Sequence, residues 1–300
     1  MWILYYEVAF WYNCRMVNQD LILQKSDLYE LLDSGDGQKL ERFENKTIIR
    51  PEKQALWKKS KPELWEKVDV EYVRVNDKYG DWKTTSLFNN WVFHNNSLKF
   101  LLKLTPFGHV GIFPELSSQW DWISKICETS SSPQVLSLFS YTGAATLAAA
   151  SAGAHVTHVD ASKPAISWAV ENQKLSGLET KPIRWIVDDA LKFIKREERR
   201  GNFYDGIIMD PPKFGRGPKG EVWQFEKDFP DLLEISKAIL KPTPLFFLVT
   251  AYTVPISPIT LGNMVSDILP EEKIECGEIS IQESVSQRLL PTSMYARWSR

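Results

Sequence analysis

From about residue 134 onwards, the sequence alternates between short apolar runs and longer segments of helix-forming composition. The apolar runs include VLSLF, HVTHV, IRWIV, YDGIIM and LFFLVT, which have the length of buried strands. Strands that alternate with helices form a parallel sheet covered on both faces, and right-handed crossovers bring the carboxyl ends of the strands to one edge. The sequence therefore predicts an α/β fold for this part of the chain.

Helix boundary signals lie between these runs. Ser162 is a good N-cap and Pro164 suits a first turn, which predicts a helix that ends near Leu175, before Gly177. The alanine-rich segment that follows the first run is predicted to end at Gly153. Further helices are predicted for residues 120–128, for the segment that reaches about residue 200, and for residues 226–240.

The front of the chain has a different pattern. Residues 20–105 contain short β-branched and aromatic runs separated by turn signals at 33–39, 75–81 and 93–97. Residues 51–65 have helix-forming composition interrupted by Pro62. These features predict a small β-rich α+β module at 20–105, which is followed by the α/β domain at 106–300.

Residues 1–19 are predicted to form an N-terminal extension. They are apolar and aromatic, without the basic start and small-residue cleavage site of a signal peptide. One interpretation is that the natural protein begins at Met16, and the alternative is an edge strand or docking segment.

Charge and cysteine content narrow the function classes. The formal net charge is −2, so no global basic field points to nucleic acid. Cys14, Cys127 and Cys276 are far apart and form no CxxC pair, which disfavours a disulfide framework and a zinc site. No apolar run reaches the length of a membrane span. We therefore expect a cytoplasmic protein without a metal and without a membrane partner.

Acidic residues follow three of the predicted strands. Asp160 ends the second strand, Asp188 and Asp189 end the third, and Asp210 ends the fourth. A carboxylate after the second strand suits the two hydroxyls of a ribose, and one after the third suits the exocyclic amine of adenine. Each aspartate taken alone could be a helix N-cap, but together they predict an adenosine site. The predicted contacts to it are Asp160, Ala161, Ser162, Asp188, Asp189 and Ala190.

The turn after the first strand, FSYTG at 139–143, indicates which adenosine cofactor is bound. A dinucleotide needs the close backbone approach of G-x-G-x-x-G, and this turn keeps one glycine, Gly143. Phe139 and Tyr141 are tolerable only if no pyrophosphate binds there, which disfavours a nucleotide-dependent oxidoreductase. S-adenosylmethionine has no phosphate and fits the turn. We expect Ser140 and Thr142 to bind its amino-acid tail, and Asp210 to attract its ammonium group.

The stretch DPPKFGRG at 210–217 is the most specific motif. Two consecutive prolines after a buried strand fix a rigid extended loop. This loop is predicted to form the acceptor wall, with Phe214 stacked on a base and Lys213, Arg216 and Lys219 near phosphates. The alternative places Phe214 in the core and the cations in solvent. The predicted catalytic residues are Asp210, Pro211, Pro212, Lys213 and Phe214.

These motifs together resemble a known family. VLSLFSYTGAATLAAASAGAHVTHVD, VDDALKF, YDGIIMDPPKFGRG and GHVGIFPE are similar to the class I methyltransferases related to the bacterial 23S ribosomal-RNA cytosine methyltransferase. The resemblance implies a Rossmann-like seven-stranded sheet with S-adenosylmethionine at the strand ends. It also implies that Phe113 to Glu115 fold over the cofactor, so that Phe113 and Glu115 join the cofactor contacts. The implied substrate is RNA, with ribosomal RNA as the leading candidate.

One departure from the family bears on the chemistry. Ala251 stands where the resemblance places the cysteine that attacks the cytosine ring. Covalent catalysis on cytosine is therefore not expected. The sequence leaves open a methyltransferase of a small molecule or protein, and a non-catalytic module that binds the cofactor or RNA. Of the four histidines, only His109, beside the expected flap, is a functional candidate.

Overall fold

The computed structural model describes residues 16–75, 79–84, 90–269 and 273–300. Residues 1–15 of the predicted extension lie outside this part. In the first third of the chain, the regular elements are almost all strands. Its strands are β1 (Met16–Asn18), β2 (Leu21–Leu23), β3 (Tyr29–Gly35), β4 (Gln38–Phe43), β5 (Lys46–Pro51), β6 (Val70–Arg74), β7 (Gly80–Thr84), β8 (Trp91–Asn95) and β9 (Leu98–Leu102).

From residue 117 onwards, the chain alternates between helices and strands, as the sequence predicts. Its elements are α1 (Ser117–Cys127), β10 (Gln134–Leu138), α2 (Ala144–Ser151), β11 (His155–Asp160), α3 (Lys163–Leu175), β12 (Ile183–Val187), α4 (Ala190–Arg200), β13 (Gly206–Met209), β14 (Phe214–Arg216), β15 (Val222–Gln224), α5 (Phe225–Ile239), β16 (Phe246–Ala251), α6 (Pro258–Ile268), β17 (Ile274–Gln282) and β18 (Leu289–Ser299). Ser162 caps α3 by accepting a hydrogen bond from the Ala165 amide at 3.3 Å.

The large sheet has the strand order β12-β11-β10-β13-β16-β18-β17. Its strands run parallel except for β18, which is antiparallel to both neighbours. The predicted Rossmann-like seven-stranded sheet is confirmed. The order reverses beside β10, so the cleft at the carboxyl ends of β10 and β13 lies where such sheets bind ligands.

Two strands at the front of the chain extend this sheet. Both β1 and β2 pair in parallel with β17. The predicted module at 20–105 includes β2, and the structure pairs β2 with β17, where it satisfies the backbone groups that β18 leaves unpaired. The name front module therefore refers from here on to strands β3 to β9.

The front module consists of the five-stranded sheet β3-β4-β5-β6-β7 and the hairpin β8–β9. The helical interpretation of residues 51–65 is wrong apart from one 3₁₀ turn, Pro62–Trp65. The carbonyls of Ala55 and Trp57 accept hydrogen bonds from the Gly37 and Asp36 amides in the β3–β4 turn. These tertiary bonds hold the segment extended and outweigh its local preference.

The front module and the large sheet share a core. One cluster of buried side chains combines Phe43 and Phe100 with Ile112, Trp120 and Leu147. The hairpin is also bonded to α3, since the Leu101 amide donates to Asn172 Oδ1 at 2.8 Å and the Trp168 indole donates to the Leu101 carbonyl at 2.7 Å. These contacts fix the front module beside the cleft, and the domain division at residue 105 stays a prediction.

Candidate active site

A cleft of about 560 Å³ opens at the carboxyl ends of the central strands. It brings together most of the residues predicted from the separate motifs. From the prediction it contains Phe113, Phe139, Tyr141, Asp160, Ala161, Ser162, Asp188, Asp189, Ala190, Asp210, Pro211, Pro212, Lys213 and Phe214. His109, Trp223, Tyr252 and Thr253 also line it.

The turn after β10 has an unusual backbone. Phe139 and Tyr141 have φ angles of 54° and 49°, in the left-handed region that residues other than glycine seldom adopt. Their rings hold them there: Phe139 packs on Trp223 at 4.9 Å between centroids, and Tyr141 on Phe113 at 5.8 Å. Strained residues of this kind concentrate at ligand sites. The bulky residues that replace glycine are thus part of the cleft wall.

Gly143 has a local reason to be glycine. Its φ is 87°, and a Cβ atom would lie 3.0 Å from the Cβ of Ala169 in α3. The close approach shown by the structure is therefore to α3. An approach of the cofactor to Gly143 stays a prediction.

Asp160 is held by two backbone amides. Its Oδ2 accepts from the Tyr141 amide and its Oδ1 from the Ser162 amide, both at 2.8 Å. Burial raises the pKa of Asp160, and these two amides partly offset the increase. Each carboxylate oxygen keeps a second lone pair, so the side chain is positioned to accept from two ribose hydroxyls.

The two aspartates after β12, Asp188 and Asp189, have different partners. Asp189 lines the cleft and also caps α4, since its Oδ1 accepts from the Lys192 amide at 2.9 Å. Asp188 is ion-paired with Arg196. The N-cap alternative from the sequence is thus realised at Asp189.

Asp210 joins the cleft to a second, smaller cavity of about 60 Å³. Its Oδ1 accepts from the Thr250 hydroxyl at 2.7 Å, and burial raises the pKa of Asp210 while that bond lowers it. Ser140, Thr142 and Gly143 line this cavity, together with Gln119, whose buried Nε2 has no hydrogen-bond partner among the described residues. A carboxylate and an orphaned amide donor are the groups that an amino-acid tail needs. The cavity therefore fits the tail of S-adenosylmethionine.

Thr142 and Ser140 are tied into the protein. The Thr142 hydroxyl, which is buried, donates to the Gly111 carbonyl at 2.6 Å, and the Ser140 hydroxyl donates to Ser137 at 2.8 Å. Neither donor is directed to a ligand, so the structure gives Thr142 the role of holding the flap at residues 111–115. Their contact with the tail stays a prediction.

The stretch at 210–217 forms one wall of the cleft. Pro211 is buried, the Pro212 carbonyl accepts from the Trp223 indole at 2.7 Å, and the chain then enters the hairpin β14–β15. Phe214 at the start of this hairpin is 54% exposed, and Lys213 and Arg216 are exposed beside it. The alternative that Phe214 belongs to the core is wrong.

Glu115 is the predicted cofactor residue that the structure places elsewhere. It lines an adjoining pocket of about 240 Å³ between the flap and the front module. His109 and Tyr252 lie between the two spaces and line both. Although His109 is exposed at the surface, partial desolvation by the surrounding walls, with Arg50 and Lys39 nearby, lowers its pKa to about 4. No local motif in the sequence indicated that Tyr252 would line these two spaces.

Ala251 stands at the position where the resemblance places a catalytic cysteine. Ala251 is the last residue of β16 and is fully buried. Cys127 and Cys276 are buried away from the cleft, and no cysteine among the described residues lines it. Within the same described ranges, no cluster of histidine, cysteine or acidic residues is arranged to hold a metal ion, and no helix has the length and apolarity to cross a membrane.

Comparisons with known proteins agree with this geometry. A family model for S-adenosylmethionine-dependent methyltransferases matches residues 49–249. The crystal structure of the SAM-dependent methyltransferase from Agrobacterium tumefaciens is 42% identical, covers 94% of both chains and superposes with a TM-score of 0.89. A methyltransferase solved in complex with SAH shares the fold at 18% identity and a TM-score of 0.69, covering 91% of this chain and 76% of its own.

The ribosomal RNA large subunit methyltransferase K of Neisseria meningitidis serogroup B is 26% identical over 218 residues. The match covers 72% of this chain and 58% of that relative, so the chain spans little more than half of its length. The matched family model covers strands β10 to β13, the flap and every acidic strand end of the cleft. The chain belongs to the S-adenosylmethionine-dependent methyltransferases and is an enzyme that uses S-adenosylmethionine.

Proposed function

We propose that this enzyme methylates RNA, with large-subunit ribosomal RNA as its substrate. The observation that carries the proposal is the acceptor wall, where the exposed Phe214 ring and the exposed cations Lys213 and Arg216 line the same cleft. An aromatic ring beside cations is the combination that binds an unstacked base and its phosphates. The relative from Neisseria meningitidis, named for ribosomal RNA, supports the same substrate.

The residues of the cleft divide the work of methyl transfer. Bound S-adenosylmethionine supplies an electrophilic methyl group on its sulfonium. Asp160 orients the ribose, and Asp210 orients the tail from the end of β13. The rigid loop at 211–214 then holds the acceptor base beside the methyl group, where positioning lowers the barrier.

The acceptor is an atom that carries its own lone pair. Carbon 5 of cytosine needs an enzyme nucleophile to become reactive. Ala251 cannot serve, and no cysteine in the described part of the chain lines the cleft. A ring nitrogen with a free lone pair needs only to be oriented, and an exocyclic amine must in addition release one proton to solvent.

The test is transfer of a labelled methyl group to unmodified large-subunit ribosomal RNA, with total protein and a small-molecule extract as parallel acceptors. Nucleoside mass spectrometry of the product should show the methyl group on a nitrogen. Phe214→Ala should lower the rate of transfer by about tenfold to a hundredfold, because a stacked base contributes about 1–3 kcal/mol.

The Phe214→Ala variant should keep the wild-type affinity for S-adenosylhomocysteine. Phe203→Ala is the matched control, since that ring is also exposed, at 51%, but lies outside the cleft. Label that enters only protein or small molecules, with Phe214→Ala as active as the control, would contradict the RNA proposal and favour the other acceptor classes.

A further inference from the structure

The pocket between the flap and the front module, called here the front-module pocket, adjoins the cofactor cleft and contains none of its acidic strand ends. Its inner wall consists of Lys39, Arg50, Glu52 and Glu115, all buried. It meets the cleft along His109, Phe113, Tyr252 and Thr253. A ligand group in this pocket would therefore lie directly beside the acceptor position.

Part of the charge inside the pocket is neutralised by the protein itself. Arg50 donates two hydrogen bonds to Glu41, at 2.6 and 2.8 Å, and the Tyr29 hydroxyl donates to the same carboxylate at 2.8 Å. The ammonium of Lys39 is 3.6 Å from both Glu41 and Glu52, beyond hydrogen-bond length. Lys39 therefore keeps donor capacity that these ion pairs do not saturate.

Glu115 is the group that this network leaves incomplete. It is 5% exposed, and its Oε2 has no hydrogen-bond partner among the described residues. Burial raises the pKa of Glu115, and the nearby Lys39 partly offsets the increase. A buried carboxylate oxygen without a donor is costly, so the wall is suited to a ligand that brings an N–H group.

The rim has a different character from the interior. Lys53 and Arg74 are exposed cations at the pocket, and Phe107, which also lines it, is 67% exposed. Exposed cations suit phosphates and an exposed aromatic ring suits a stacked base. The interior offers Glu115 as acceptor and Lys39 as donor, which match the adjacent donor and acceptor on the edge of a nucleobase.

We infer that the front-module pocket binds a second nucleotide of the RNA substrate, adjacent to the methyl acceptor, and selects it through Glu115. The inference rests on the proposed function and deepens it. Glu115 accepts from an N–H on the base edge, while Arg74 and Lys53 hold the neighbouring phosphates. Glu115 is thus assigned to substrate selection instead of cofactor binding.

The test compares the Glu115→Gln variant with the wild type. This substitution keeps the shape of the side chain and removes its charge. We expect the KM for unmodified large-subunit ribosomal RNA to rise about fivefold, because a hydrogen bond to a charged carboxylate becomes a weaker one to a neutral amide. Affinity for S-adenosylhomocysteine and the melting temperature should not fall. Glu66→Gln, an exposed glutamate of the same module, is the matched control and should behave as the wild type.

A second measurement addresses the base directly. Labelled 12-nucleotide homopolymers of A, C and U are titrated into the enzyme saturated with S-adenosylhomocysteine. The wild type should prefer one of them, and Glu115→Gln should lose that preference.

The possible failures are distinct. If the wild type transfers no methyl group to RNA, the proposed function and this inference both fall. If it does, but Glu115→Gln matches Glu66→Gln in KM and base preference, only the pocket assignment falls. If Glu115→Gln instead weakens S-adenosylhomocysteine and leaves RNA kinetics unchanged, Glu115 belongs to the cofactor site.

Discussion

The two sides of the cleft carry opposite charge. The cofactor side consists of strand ends with the carboxylates Asp160, Asp188, Asp189 and Asp210. The proposed acceptor side consists of the β14–β15 hairpin and the front module, whose exposed cations are Lys213, Arg216, Lys53 and Arg74. The buried Lys39 and Arg50 lie beside the carboxylates Glu41 and Glu52. The formal net charge of −2 is a sum over the whole chain, so it shows neither the acidic nor the basic region. The cationic cofactor and the proposed RNA substrate would thus each meet groups of opposite charge, which the whole-chain charge does not indicate.

The two sides also differ in how their charges are positioned. Asp160 and Asp189 accept hydrogen bonds from backbone amides, so their geometry is fixed before a ligand binds. The cations at Lys213 and Arg216 are exposed on a hairpin. We expect mutations on the cofactor side to change affinity sharply, and those on the acceptor side to act mainly through salt-dependent attraction.

The largest expected effect is on the cofactor side. Asp160→Ala should weaken S-adenosylmethionine binding by about tenfold to a hundredfold, because a charge-assisted pair of hydrogen bonds contributes about 1.5–3 kcal/mol. Calorimetric titration measures it, with Asp231→Ala, an exposed aspartate on α5, as the control. RNA affinity should stay unchanged. Equal loss of both affinities would erase the distinction between the two sides.

The pH dependence of cofactor binding gives the next effect. Burial raises the pKa of Asp160 and of Asp210, so each carboxyl takes up a proton at a higher pH than an ordinary aspartate. Because the cationic cofactor favours the ionised form, its binding releases protons, and its affinity is constant above the raised pKa and falls as the pH decreases through it. The decrease is at most about tenfold per pH unit for each group.

Calorimetry in two buffers of different ionisation enthalpy, from about pH 8 down to about pH 4.5, measures this proton release. Asp210→Asn should remove part of the pH dependence. Tighter binding at acid pH would contradict the assigned roles of these carboxylates.

The smallest effect is expected on the acceptor side. The double variant Lys213→Gln and Arg216→Gln should bind RNA with a salt dependence that is shallower by about 1.4, since each phosphate contact to a single strand contributes about 0.7 to the slope. The control pair Lys195→Gln and Arg199→Gln changes two exposed cations of α4 outside the cleft. An equal change in slope for both pairs would show diffuse attraction without a defined acceptor wall.

Much of the cofactor side could be predicted because its signals are local. Asp160, Asp189 and Asp210 each follow a recognisable apolar run, and the topology of a parallel sheet brings all such strand ends together. The rigid loop at 211–214 follows from two prolines. Local signals did not predict the hydrogen-bond partner of each polar group. The Thr142 hydroxyl, for example, donates to the Gly111 carbonyl.

The front-module pocket could not be predicted in the same way. Lys39, Arg50, Glu115 and Tyr252 are far apart in sequence and share no motif, and strand pairing and the flap bring them to one pocket. Residues 51–65 show the same limit, because the backbone bonds to the β3–β4 turn override a helical composition.

Local signals in the sequence were enough to predict the α/β fold, the order of its main strands and helices, and the acidic strand ends. Periodicity, capping and turn chemistry act over a few residues, so they can be recognised along the chain. The tertiary structure alone decided the pairing of β2 with β17, the left-handed turn braced by aromatic rings, and the front-module pocket. These depend on contacts between residues that are distant in sequence, whose energies no local pattern contains.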